Sequence, residues 1–86
     1  MKNKKQQVTV LGGSGYIGSH LSDLLTQKGF YVKIFDIKKS KYLKHNQKMY
    51  LGNLLQKKKL NESIKRSKYV FNFAALSNID IASDQP

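Results

Sequence analysis

An incomplete α/β fold, a parallel sheet of four strands in the order 3-2-1-4 with flanking helices, is what three observations in this chain predict. Apolar, β-branched runs alternate with helix-spaced segments. Glycines cluster where the first run hands over to the first helical segment. An aspartate closes the second run. Parallel pairing through right-handed crossovers follows, because each helix must pack back onto the sheet.

The elements can be justified in order. "QQVTVLG" alternates and is β-branched, so it reads as a buried strand ending at Leu11. From Tyr16 the period changes. Ile17, Leu21, Leu24 and Leu25 fall at i, i+4, i+7 and i+8 and predict one apolar helix face. Gly29 is placed to close that helix in the left-handed conformation, with Lys28 near the negative end of its dipole. "FYVKIFD" is a second strand, with Tyr31, Lys33 and Phe35 on one face and Val32 and Ile34 on the other. Residues 37–47 are polar and lysine-rich without a period, and predict a loop. "KMYLGN" is a short third strand. In "LLQKKKLNESIKRS", Leu60 and Ile64 at helical spacing predict a short helix. "KYVFNFAAL" is apolar except at Asn72, which predicts a fourth strand buried on both faces. The closing "SNIDIASDQP" reads as loop.

The glycines bear on function. Gly12, Gly15 and Gly18 make G-x-x-G-x-x-G, and Gly13, Gly15 and Gly18 also satisfy G-x-G-x-x-G. An early glycine permits a tight turn, Gly15 leaves room for a pyrophosphate, and Gly18 lets the helix pack closely. The unpaired amides of the first helical turn, near Tyr16 and Ile17, then face the phosphates. Asp36 ends the next strand at the interval, about 20 residues on, where a carboxylate accepts from adenosine ribose hydroxyls. This is the pattern of a Rossmann-type dinucleotide site. No Gly-Lys-Ser/Thr follows the glycines, so it is not a Walker A loop.

Composition bounds the rest. The 86 residues allow one small domain at most, with a thin core. There is no cysteine, hence no disulfide and no thiolate metal site; His20 and His45 alone make no metal centre. "MKNKKQQ" is followed by too short an apolar run for a signal peptide, and nothing is long enough to span a membrane, so a cytoplasmic protein is expected. The net charge of +11 raises the question of an anionic partner. All but Arg66 of the 16 basic residues are lysines spread along the chain, whereas arginine supplies bidentate base contacts. A lysine-rich solvated surface is therefore expected, with neither nucleic acid nor membrane as partner.

"GGSGYIGSHL", "GNLLQ" and "VFNFAALSNIDIASDQP" together resemble the extended short-chain dehydrogenase/reductase family, the sugar-nucleotide epimerases and dehydratases. The resemblance runs from Val8 to Pro86. It implies NAD, rather than NADP, held at Gly12, Gly15, Tyr16, Ile17 and Gly18, with the ribose on Asp36. Where the family has Gly-Asp-Leu or Gly-Asp-Ile facing adenine, this chain has Gly52, Asn53 and Leu54. The Asn53 oxygen still accepts, without the charge. A family His-Leu-Ala-Ala stretch corresponds to Asn72, Phe73, Ala74 and Ala75, small residues against the nicotinamide side, and Ser77 opens the loop bordering the substrate.

The family's chemistry also needs a Tyr-x-x-x-Lys pair. None of Tyr16, Tyr31, Tyr42, Tyr50 or Tyr69 has lysine four residues on. The resemblance therefore implies that residues 1–86 are the N-terminal portion of a dinucleotide-binding domain, with no catalytic residue of their own. The rest of that domain, the substrate domain for a nucleotide sugar and any homodimer contact would lie elsewhere. Taken alone, such a half-sheet is expected to be weakly stable and prone to associate along its fourth strand. The rival from another class is a non-catalytic nucleotide-binding or regulatory module whose lysines engage an anionic partner.

Overall fold

A computed structural model describes residues 5–40 and 43–73. Four strands, β1 (Gln7–Leu11), β2 (Tyr31–Asp36), β3 (Gln47–Leu51) and β4 (Ser67–Asn72), alternate with α1 (Tyr16–Gln27) and α2 (Lys57–Ile64) as the periodicity predicts. All pairings are parallel and the order is β3-β2-β1-β4. The central strands carry the core: Val8, Val10, Val32 and Ile34 are buried on one face, joined by Leu25 of α1. Each such side chain contributes roughly 1.5–3 kcal/mol by leaving water.

The helix boundaries agree with the sequence, and Leu25 and Leu21 of the predicted apolar face pack on the core, but Ile17 and Leu24 do not. Gly18, Ser22 and Leu25 point inward, while Ile17 and Leu24 are 53% and 47% exposed. The helix has turned by about one residue from the apolar stripe. The cause is backbone crowding: only Gly18 can meet the turn at Gly12 and Gly13, and Ser22 follows it one turn later. Ser22 tolerates burial because its hydroxyl donates to the Gly18 carbonyl at 2.7 Å. Gly29 has φ +99° and ends the helix as expected, and the Lys28 amide at the C-cap donates to Leu24 and Leu25 carbonyls.

The other face holds a polar cluster that periodicity did not reveal. Thr9 and Lys33 are buried under α2 against its own buried Ser63; Thr9 Oγ1 donates to the Ser63 carbonyl, and Lys33 Nζ donates to the Lys65 carbonyl at the C-cap of α2. Among the described residues no buried side-chain polar atom lacks a partner. β4 is a further correction. It was expected to be buried on both faces, yet Tyr69 and Val70 are 50% and 45% exposed. Among the described residues β4 is the outermost strand of the sheet, and α1 and α2 lie over the central strands.

Lys33 links this packing to pH. Burial first, then the charges of Lys48 and Arg66, push its ammonium pKa below the ordinary 10.5. The native chain therefore loses this proton before the unfolded chain does. Between the two pKa values the unfolded state holds more protons, so stability rises with pH. Urea unfolding should show the wild type gaining stability over Lys33→Met as pH climbs from neutrality toward 10.5. Parallel profiles for the two chains would overturn this.

Candidate dinucleotide site

Three backbone hydrogen bonds bring the C-terminal ends of all four strands to one edge. The Gly12 amide donates to the Phe35 carbonyl at 2.7 Å, Gly52 to Asp36 at 3.0 Å, and Phe73 to Leu11 at 2.7 Å. The chain leaves β1 for α1 here, where the strand order reverses and a crevice opens in sheets of this kind.

The turn itself is built from backbone. Gly12 sits at φ +81°, which a side chain would strain. Its carbonyl accepts from the Gly15 amide at 3.3 Å. A Cβ on Gly18 would lie 2.3 Å from that same carbonyl oxygen. One on Gly13 would lie 2.7 Å from Ile34 Cγ2, so that glycine, the first of the G-x-G-x-x-G reading, is demanded by packing. Gly15 differs. It is the N-cap of α1 in extended backbone (φ −76°), and an added Cβ would meet only the Gly12 oxygen, at an ordinary 3.6 Å. Nothing in the protein requires glycine there.

What faces that space suits an anion. No side chain caps α1, and its first turn holds no acidic residue. The amides of Tyr16 and Ile17 have no intrahelical acceptor. Tyr16 and Ile17 are exposed at this end, with the Tyr16 ring set edge-on to His20 at 4.7 Å. A helix N-terminus in such a setting favours a negative group by about 0.3–1 kcal/mol when exposed, more when partly buried.

Asp36 is fixed beside it. Its Oδ2 accepts from the Ser14 amide at 3.0 Å; its Oδ1 accepts from Ile37 at 2.7 Å and Lys38 at 3.3 Å. These bonds tie β2 to the glycine turn and leave accepting capacity on the carboxylate for a hydroxyl. Ser14 had no signal of its own in the sequence, because only its backbone acts. Asn53 and Leu54 lie in the turn after β3. The Asn53 oxygen already accepts from the Leu55 amide at 2.9 Å, and Leu54 is exposed. Phe73 packs against the core beside Leu11. Ala74, Ala75 and Ser77 lie outside the described residues. A depression of about 590 Å³ opens next to the turn, with Ser14, Ser19, Lys38 and Lys39 on its walls. Among the described residues no group of acidic side chains or histidines could hold a metal, and no helix there is long and apolar enough to cross a membrane.

Comparison with known proteins agrees with this geometry. The chain is 31% identical over 74 residues to the human sterol-4-alpha-carboxylate 3-dehydrogenase (decarboxylating), covering 86% of this chain and 20% of that one. The epimerase Mth375 of Methanothermobacter thermautotrophicus superposes with a TM-score of 0.72 at 31% identity, over 84% of this chain and 23% of that one. MoeE5, solved in complex with UDP-glucuronic acid and NAD, superposes with a TM-score of 0.66 at 29% identity, over 78% and 22%. The chain thus spans about a fifth of the length of such relatives. The profile of the NAD dependent epimerase/dehydratase family matches residues 8–86. By that match, and by the glycine turn and its aspartate, the chain belongs to the NAD dependent epimerase/dehydratase family.

Proposed function

We propose that this chain binds the adenosine and pyrophosphate of NAD for an enzyme acting on a nucleotide-linked sugar. The remaining strands, the Tyr-x-x-x-Lys pair and the substrate domain are assigned outside residues 1–86. The observation that carries the reading is Gly15, a glycine the protein's own packing does not need. In this reading the Tyr16 and Ile17 amides donate to the pyrophosphate, and Asp36 orients the ribose. Asn53 and Leu54 border adenine; Phe73, Ala74, Ala75 and Ser77 border the nicotinamide. When bound, NAD supplies a hydride acceptor for the sugar carbon. The sugar class is supported by the motifs of the chain and by the UDP-glucuronic acid bound in MoeE5. A cytoplasmic setting belongs to the same proposal.

Asp36 favours NAD over NADP. Its carboxylate accepts from a free 2′-hydroxyl and repels a 2′-phosphate. Lys38 and Lys39 on the neighbouring depression oppose this. Titration of the full-length protein should give NAD at least about tenfold tighter than NADP, a gap of about 1.4 kcal/mol. Tighter NADP binding that persists when Lys38, Lys39 and Lys41 are replaced would overturn the assignment.

A further inference from the structure

We infer that Asp23 is a positioning residue for the adenosine half of the dinucleotide site, acting by fastening the returning end of the β2–β3 connection to α1; this rests on the nucleotide reading above. Asp23 lies in the second turn of α1, past the phosphate-facing end. Its Oδ2 accepts from Lys44 Nζ at 3.0 Å, the one ion pair among the described residues. Its Oδ1 accepts from Gln47 Nε2 at 3.0 Å. The same Nε2 reaches Thr26 Oγ1 at 3.0 Å, while Gln47 Oε1 accepts from the Lys44 amide at 2.9 Å. The Gln47 amide group therefore bridges α1 to both sides of the turn that enters β3.

The connection is thus tied by a carboxylate at each end. Asp36 accepts from the Ile37 and Lys38 amides where the chain leaves β2, and Asp23 holds Lys44 and Gln47 where it returns. Between those ties Lys38 and Lys39 stand over the depression that Asp23, Lys44 and Gln47 also line. Asp23 is only partly exposed. Burial works against its charge, but the bonds from Gln47 and Lys44 and the charges of Lys44 and His20 outweigh it and hold the carboxyl below its ordinary value. The group is ionised at neutral pH, so the clamp is charged in the working protein. The glycine turn that faces the phosphates is linked to Asp36 through the Ser14 amide and, among the described residues, shares no side-chain hydrogen bond with Asp23, Lys44 or Gln47. Loosening the clamp should free the wall that Lys38 and Lys39 form with Asp23 and Lys44, next to the residues that follow Asp36, and leave the phosphate end intact.

The test compares ADP-ribose and nicotinamide mononucleotide binding in full-length wild type, Asp23→Asn, Lys44→Met and the double variant. ADP-ribose should weaken about three- to fivefold in each single variant, the range of a partly exposed ion pair. The mononucleotide should be unchanged within about twofold. The double variant should lose no more than Asp23→Asn, since both remove one interaction. ADP-ribose binding at the wild-type level in both single variants, even with a lowered Tm, would overturn the positioning role alone. Wild type that binds neither ADP-ribose nor NAD would overturn the nucleotide reading with it.

Discussion

Gly15→Val is expected to lower NAD affinity at least about a hundredfold while costing only a few degrees of Tm and leaving the circular-dichroism spectrum of the protein unchanged. The separation of the two effects is what makes the variant informative. Gly15 is at φ −76° and ψ 177°, backbone that valine adopts readily. The nearest protein atom to an added Cβ is the Gly12 carbonyl oxygen at 3.6 Å, ordinary contact. Folding therefore loses only the modest preference of an N-cap for glycine over valine. The branched side chain instead fills the space in front of the Tyr16 and Ile17 amides. Excluding a pyrophosphate from two charge-assisted hydrogen bonds removes about 1.5–3 kcal/mol for each, which sets the hundredfold floor. Gly15→Ala, with one methyl, should fall between wild type and valine. Wild-type NAD affinity in a natively folded Gly15→Val protein would place the phosphates elsewhere.

Much of this was legible in the chain, and the parts that were not share a cause. Strand runs, helix boundaries and the left-handed Gly29 follow from local periodicity and backbone preference, which neighbouring residues encode. The rotation of α1 does not, since it is set by contact between Gly18 and the turn six residues earlier, and an apolar count scores glycine and serine as neutral. Lys33 reads as a surface lysine until α2 is known to end above it and offer the Lys65 carbonyl. The Asp23–Gln47 contact joins residues 24 apart with no motif between them. At the site, the glycines and Asp36 were visible because a tight strand-to-helix turn and the proposed pyrophosphate and ribose constrain residue type. The part played by Ser14 was invisible because its amide, common to nearly every residue, does the binding. β4 looked like an interior strand by composition, and composition alone does not say where its cover lies.

Gly18→Ala should do the opposite of the Gly15 substitution and destabilise the folded domain by about 2–3 kcal/mol, a Tm fall of roughly 10–20 °C for a domain of this size. A methyl at this position would sit 2.3 Å from the Gly12 oxygen, 2.7 Å from Gly13 Cα and 3.0 Å from the Gly12 carbonyl carbon. All three are main-chain atoms, so no flexible side chain can swing aside. Two ways out exist, and both are costly. Moving the turn strains Gly12, whose amide is held by the Phe35 carbonyl at 2.7 Å. Backing α1 away opens a gap over Val10 and Ile34 and pulls Leu25 from the core, losing burial and packing together. Alanine is otherwise the better helix former by about 1 kcal/mol, so a loss here cannot be ascribed to helix propensity. NAD affinity should fall as well, because the amides of Tyr16 and Ile17 move with the helix. Thermal unfolding of the variant beside Gly15→Ala decides the matter: equal Tm values for the two would mean that α1 does not rest on the glycine turn.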